Sequence, residues 1–274
     1  MSCTKSEFLN VAIAAAQRAS DIIIRYFGSL SKEEITLKQA SDYVTHVDKE
    51  SEQAIIATVR EKFPDHCFLA EESLRDQESD MYRWIIDPLD GTTNYIHGYP
   101  IFAISIALEY RKEIITGVVL DPLRNELFTA EKGSGAYLND LPIRISSTRD
   151  AESSLVATGF PFKRKEIIDE YLALFKSVLL RVSDLRRAGA AALDLASVAS
   201  GRCEAFFEIG LSPWDIAAGS LLVREAGGII TDFRGGNDYL KTGNVVAGNY
   251  LLHGVVLEEV QRVFKGHVFN NEGQ

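Results

Sequence analysis

Apolar positions near the start of the chain recur at three- and four-residue intervals: Phe8, Val11, Ala12, Ala15, Ala19, Ile22, Ile23 and Tyr26. That spacing predicts a helix of about six turns, with Thr4 and Glu7 as a capping box and Gly28 as the stop. A second helix is predicted from about 48 to 63, because Ile55, Ile56, Val59 and Phe63 share a face and Pro64 ends it. Between them lies a polar segment, 38–48. The pattern then changes to short continuous apolar runs. Cys67–Ala70 leads into Glu71 and Glu72, and 84–86 leads into Asp87, so two buried strands are predicted, each delivering acids at its end. From 102 to 145, β-rich runs are separated by RKE, DPLRN, EKGSG and NDLP, which is the spacing of an antiparallel meander. After Ser153 the pattern predicts a strand ahead of Phe160, an amphipathic helix over 165–182 and a short strand at 184–187. Helix, strand, helix and strand follow through Asp232, an α/β alternation. No Pro- or Gly-rich linker and no repeat period divides the chain. The expectation is one domain over 1–274, with lobes at about 1–150 and 151–274.

Composition narrows the class. With 274 residues, 46% hydrophobic and 25% charged, the chain can bury a large core and has no disordered composition. Its 39 acidic and 29 basic residues leave a formal charge of -10, which weighs against nucleic acid as the partner and suits cations. Cys3, Cys67 and Cys203 lack metal-ligand spacing, so neither a disulfide framework nor a zinc site is expected, and the expected compartment is a reducing cytoplasm. The opening MSCTKSEFLN has no long apolar core, so neither a signal peptide nor a membrane anchor is expected there. No later apolar run is long enough to span a bilayer.

The densest chemistry lies in WIIDPLDGTTNYIHGYP, residues 84–100. Pro88 fixes its own φ and keeps Asp87 out of helical geometry, so 87–90 is predicted as a preset turn that brings Asp87 and Asp90 together. Two carboxylates about 4 Å apart repel by about 4 kcal/mol at an effective dielectric of about 20, a cost that a metal or a shared proton offsets. Gly91, Thr92, Thr93 and Asn94 follow, and backbone N–H groups opening a helix here would accept an anion. Hard cations and phosphate are expected to meet at this point. Asp90-Gly91 between apolar runs also fits a hairpin turn, although the residues after it lengthen the connection. Haloacid-dehalogenase-type phosphatases place Asp-Gly-Thr after an apolar strand as well. Their nucleophilic Asp falls here on Pro88, which cannot attack phosphorus.

In GLSPWDIAAGSLLVREAGG, residues 210–228, Ser212 can cap a helix, Pro213 suits its first position and Gly227 its end. Asp215 then completes an S-x-x-D start and gains about 0.3–1 kcal/mol from the helix dipole. On that motif alone, capping is favoured over metal binding.

Together these two motifs resemble the inositol monophosphatase family, magnesium-dependent and lithium-sensitive phosphatases related to fructose-1,6-bisphosphatase. FLAEES (68–73), DYVTHVD (42–48) and ELFTAEKGSGAYLND (126–140) match further family segments, in order from about 38 to 228, and Phe160-Pro161-Phe162 resembles the bacterial form. The resemblance implies an α+β fold, a layered α/β/α/β/α sandwich with an antiparallel first sheet and a mixed second one, commonly a homodimer. It implies two or three Mg2+ ions per active site, held by Glu71, Asp87, the Leu89 carbonyl, Asp90 and Asp215, with Glu72 outside the ligand set. A metal-activated water would attack the phosphate directly, with Thr92, hydrogen-bonded to Asp48, and Glu71 as the catalytic groups. Substrate contacts would come from Asp90, Gly91, Thr92, Gly189, Ala191, Glu208 and Asp215: Gly91 and Thr92 on phosphate, Glu208 on ring hydroxyls. Ala190 stands where many relatives carry a hydroxyl, which removes one donor. His46, His66 and His97 are left to surface or local hydrogen-bonding roles.

The implied substrate is a small-molecule phosphate ester, first myo-inositol 1-phosphate. Fructose 1,6-bisphosphate, histidinol phosphate or a 3'-phosphoadenosine nucleotide are alternatives on the same fold. A reading from another class is a dimeric adaptor in which catalysis is incidental, and the complete acid set counts against it.

Overall fold

The computed structural model describes residues 5–29, 35–39, 42–73, 81–162 and 164–264. Helix α1 (Glu7–Tyr26) begins at Ser6, whose Oγ accepts from the Leu9 N–H at 3.1 Å. The cap is therefore Ser6, and Thr4 lies outside the described residues. Strands β1 (Ile35–Gln39) and β2 (Asp42–Thr45) form an antiparallel pair ahead of α2 (His46–Arg60). This helix starts earlier than the apolar spacing predicts, because Thr45 and Asp48 make a reciprocal capping box that adds a polar first turn.

Next come β3 (Cys67–Ala70), β4 (Tyr82–Asp90), α3 (Thr92–Ile96), β5 (Ala103–Tyr110), β6 (Glu113–Asp121), β7 (Glu126–Glu131), β8 (Gly135–Leu138) and β9 (Leu141–Pro142). The strands lie in sequence order in one seven-stranded sheet. The meander is as expected, but the sheet is mixed: β3 pairs with β4 in parallel.

The rest of the chain forms β10 (Leu155–Thr158), a 3-10 turn (Lys165–Ile167), α4 (Ile168–Leu179), β11 (Asp184–Arg186), α5 (Ala191–Ala199), β12 (Ala205–Glu208), α6 (Pro213–Glu225) and β13 (Ile229–Thr231). It ends with α7 (Tyr239–Thr242), β14 (Val245–Gly248) and α8 (Tyr250–Phe264). The second sheet is mixed, in the order β11-β10-β12-β14-β13.

Alternation along the strands assembles the layers. Trp84 and Ile86 of β4, with Ile104, Ile106 and Leu108 of β5, pack against the Ala-rich face of α1 and against α2. Ile85, Ala103 and Ala107 turn to the other side, toward α5 and α6. That side is built from small residues so that α6 can come close. A Cβ at Gly117 would lie 2.9 Å from the Ala218 carbonyl, and Gly219 leaves room for Leu195. The second sheet covers α5 and α6 from beyond, and α4 and α8 close its outer face around Tyr171, Leu174, Val256 and Val260. The result is the α/β/α/β/α sandwich.

Candidate active site

Strand β4 carries the first acids. It stays paired with β5 through Asp87↔Ser105 and resumes at Asp90↔Ala103, so three steps on β4 oppose two on β5. The predicted turn at 87–90 is thus a bulge inside an extended strand. Pro88 has no N–H to give the ladder, and the Leu89 N–H turns back to Asp87 Oδ1 at 2.9 Å. Both carboxylates are buried, Asp87 at 2% exposure and Asp90 at 8%. The strand then stops at Gly91, whose φ of 93° is left-handed and suits glycine. It opens α3, which has only five residues, so its contribution to anion binding is individual N–H groups and not an extended helix dipole. The short helix also excludes a tight Asp-Gly hairpin.

Asp215 arrives from the other side, at the start of α6. Its Oδ2 accepts from the Ser212 N–H at 2.7 Å, the expected cap. Its carboxylate also joins the β4 acids: one oxygen each from Asp87, Asp90 and Asp215 lies within 4.8 Å of the others. Capping and clustering coexist because a carboxylate has two oxygens. Asp90 is steadied by α5, where the Ala192 N–H donates to Oδ2 at 2.7 Å.

Burial pushes the Asp87 carboxyl well above the usual range, and Glu71, Asp90 and Asp215 add repulsion. Burial followed by Asp215 does the same to Asp90, against the opposing Ala192 hydrogen bond. No cation is among the chief influences on either carboxyl. Such a set of close, hard, buried oxygens fits a divalent cation such as Mg2+, which would replace the missing positive charge.

Glu71 follows β3, its N–H donating to the Ile86 carbonyl at 3.2 Å. It lines the same cavity, of about 330 Å3, as the triad, Leu89, Gly91, Thr92, Gly189, Ala191 and Glu208, although it stands outside the three-acid cluster. Thr92 Oγ lies 3.0 Å from both Asp48 Oδ1 and the Leu89 carbonyl and can donate to either. Asp48 is fully buried, and burial raises its carboxyl to about 6. Every residue expected to act is therefore at this cavity or bonded to one that is.

Glu208, at the end of β12, has its carboxyl raised well above normal by burial first and by Asp194 and Asp215 next. Gly159 leaves room beside it, since a Cβ there would overlap the carboxylate where it now lies. Ala190 is the N-cap of α5 and supplies no side-chain hydrogen bond.

Several participants escape the sequence reading. Asn94 Nδ2 lies 2.8 Å from the Ile101 carbonyl, 2.9 Å from that of Ala188 and 3.3 Å from that of Gly189, tying α3 to the loop before α5. Phe162 and Arg187 line the cavity, and so does His97, which is exposed, as expected, at its edge. By contrast His66 does have a local role: it accepts from Trp84 Nε1 at 3.0 Å and stacks on Phe63 and Tyr82. Asp194, buried on α5 in the run RRAGAAALD, was visible in the motif but carried no expectation. Nothing in the sequence pairs Asn94 with carbonyls some 94 residues away.

Comparison with known proteins supplies independent information. A family model described as the inositol monophosphatase family matches residues 4–265. Nus factor SuhB of Escherichia coli strain K12 is 49% identical over 243 residues, covering 88% of this chain and 91% of that protein. The crystal structure of extragenic suppressor protein suhB from Bartonella henselae superposes with a TM-score of 0.90 at 43% identity, over 94% of this chain and 99% of that one. Inositol monophosphatase from Anabaena (Nostoc) sp. PCC 7120 gives 0.83 at 39% identity, over 93% and 95%.

Proposed function

The chain belongs to the inositol monophosphatase family, and from that membership we propose that it is a Mg2+-dependent phosphomonoesterase acting on myo-inositol 1-phosphate and related polyol phosphates. The observation that carries the reading is the cluster of Asp87, Asp90 and Asp215 on the floor of a cavity that also presents Gly91 and Thr92. Glu71, Asp87, the Leu89 carbonyl, Asp90 and Asp215 would hold the ions. Bound Mg2+ supplies Lewis acidity, lowering the pKa of water and offsetting charge on phosphate and on the leaving alkoxide.

The chain's own groups do the rest. With the Leu89 carbonyl committed as a ligand, the Thr92 proton goes to Asp48 Oδ1. Thr92 Oγ is then an acceptor aimed at a water, and Asp48, raised to about 6, can take up the relayed proton near neutral pH. Glu71 acts at the same water from β3. Gly91 and Thr92 N–H groups donate to phosphate oxygens. Glu208, Gly189 and Ala191 contact the ring on the far side. We place the enzyme in the cytoplasm as a homodimer of single-domain chains. Among the described residues no helix is long and apolar enough to cross a membrane.

A panel of phosphate esters assayed with Mg2+, with and without Li+, tests this. Inositol 1-phosphate should be turned over and inhibited by Li+. Activity confined to fructose bisphosphate and indifferent to Li+ overturns the substrate, and no turnover of any ester overturns the enzyme.

A second reading is favoured by one finding: relatives 45–49% identical carry the name Nus factor SuhB. An adaptor of this fold would bind a protein partner whether or not its acids are intact. Asp90→Asn separates the two, since partner binding that survives loss of turnover assigns the adaptor role to other surfaces.

A further inference from the structure

Helix α2 presents two acids one turn apart, Asp48 and Glu52, and positions four apart lie on one face of a helix. Asp48 reaches Thr92. Glu52 has no part in the chemistry above. Its side chain is 1% exposed, and among the described residues it accepts two hydrogen bonds, both from the segment after β3. Oε2 accepts from the Glu72 N–H at 2.7 Å, and Oε1 accepts from the Ser73 hydroxyl. No salt bridge to Glu52 occurs among the described residues. A buried carboxylate that meets two neutral donors among the described residues, in a chain already carrying a charge of -10, is a costly side chain to keep for packing alone.

The location of those donors gives the reason. The Glu72 N–H belongs to the peptide on the C-terminal side of Glu71, while the Glu71 N–H, on the other side, is held by the Ile86 carbonyl. Both peptide planes flanking Glu71 are thus tied, one to β4 and one to α2, which fixes its φ and ψ and so the direction of its Cα–Cβ bond. Glu71 sits past the end of β3 in a bend, outside the strand pairing that fixes Cys67–Ala70. We propose that Glu52 is a positioning residue that sets the Glu71 carboxylate for divalent-cation binding. Through Asp48 and Glu52, α2 would then set the spacing between Thr92 and Glu71.

This inference rests on the reading of Glu71 as a ligand, and the test separates the two. Mg2+ binding to the full chain is followed by calorimetry, with melting in chelator as a check on folding. Glu71→Gln is expected to weaken binding. Glu52→Met, which removes both acceptors and keeps the volume, is expected to weaken it about 10- to 100-fold, the range for groups that orient ligands. Glu52→Gln keeps one acceptor for the Glu72 N–H and can donate to Ser73, so it should restore affinity to within about threefold. In the Glu71→Gln background, Glu52→Met should add nothing, because its effect runs through Glu71. Additive losses, or an intact affinity in Glu52→Met, overturn the positioning role. Unchanged binding in Glu71→Gln overturns the ligand reading instead. Should Glu52→Met fail to fold, Ser73→Ala on the exposed side of the clamp takes its place. It is expected to lose affinity a few-fold in the Glu71 background only, and no loss overturns the proposal.

Discussion

Asp90 does three things at once: it meets Asp87 and Asp215, it accepts from α5 through the Ala192 N–H, and it does so while 8% exposed. Replacing it by Asn keeps the shape and an oxygen for Ala192 but removes the charge. Turnover is expected to fall by at least about 100-fold with Mg2+ affinity. The metal-free protein should become more stable by about 1–3 kcal/mol, because the folding cost of a carboxyl raised by burial and by Asp215 has been removed. Melting in chelator and calorimetric Mg2+ titration check both halves, and a destabilised Asp90→Asn would mean that its hydrogen bond outweighs the repulsion. Thr92→Val probes a different link. It removes the hydroxyl between Asp48 and the cavity without touching an acid, so kcat is expected to fall about 10²- to 10⁴-fold, the usual worth of a positioned proton-transfer group, with Mg2+ affinity unchanged. Parallel loss of both would make Thr92 a support for the ion site and not a relay.

At the scale of elements, the site is the meeting of strand β4, the short helix α3 and the first turns of α5 and α6, and Gly91 is where the first two join. A Cβ at Gly91 would lie 3.0 Å from the Ile101 carbonyl and 3.2 Å from that of Gly189, on a backbone with φ of 93°. Gly91→Ala is expected to cost about 1–3 kcal/mol in stability and to raise KM for the phosphate ester, as α3 is pushed from the α5 loop. A circular-dichroism melt and steady-state kinetics check this, and unchanged values would show that the loop gives way freely. Why this corner was legible follows from locality. Asp87, Pro88, Asp90 and Gly91 are neighbours in sequence, and proline and glycine restrict the chain at their own positions. The meander was legible because its turn clusters are also local. What escaped depends on partners distant in sequence or on competing local rules. The bulge in β4 arises only when β5 is alongside, and the Asn94 clamp depends on the arrival of α5. The start of α2 was displaced because the apolar period says nothing about a polar first turn, although Thr45 and Asp48 were a readable cap. The Glu52 contacts follow neither from spacing nor from composition, since they require α2 to lie against the end of β3. Strand β14 and helix α8, beyond the segments to which any expectation was attached, complete the second sheet and its outer layer.

For the whole molecule, the consequence is an inverted response to pH that a cation should reverse. Burial raises the carboxyls of Asp48, Asp87, Asp90, Asp194 and Glu208, so in the folded state they hold protons that the unfolded chain has released. Groups of this sign weaken the fold as pH rises from the unfolded value toward the folded one. For Asp48, moving from 3.8 to about 6, the loss amounts to roughly 3 kcal/mol at most. Two sets of groups act oppositely, and their windows are separable. Glu126, lowered chiefly by Arg202, and Glu259, lowered against its burial by Arg181 and Arg262, contribute stability that is lost only below about pH 4.5. His66 and His253, lowered by burial, contribute stability present above about 6.5 and lost below it. Above about pH 6.5 both sets are largely spent, and a further loss of stability with rising pH belongs to the acids whose carboxyls burial raises. In chelator the melting temperature is therefore expected to fall across that range. With saturating Mg2+ it should level or rise, because the cation competes with protons for the same oxygens and adds about 2.7 kcal/mol at a hundred times its Kd. For a chain of this size that is a shift of roughly 5–11 °C. Melting curves across the window, with chelator and with Mg2+, decide the matter. A flat curve in chelator would mean that the acids lose their protons at no cost, and the electrostatic reason for a cation at Asp87, Asp90 and Asp215 would go with it.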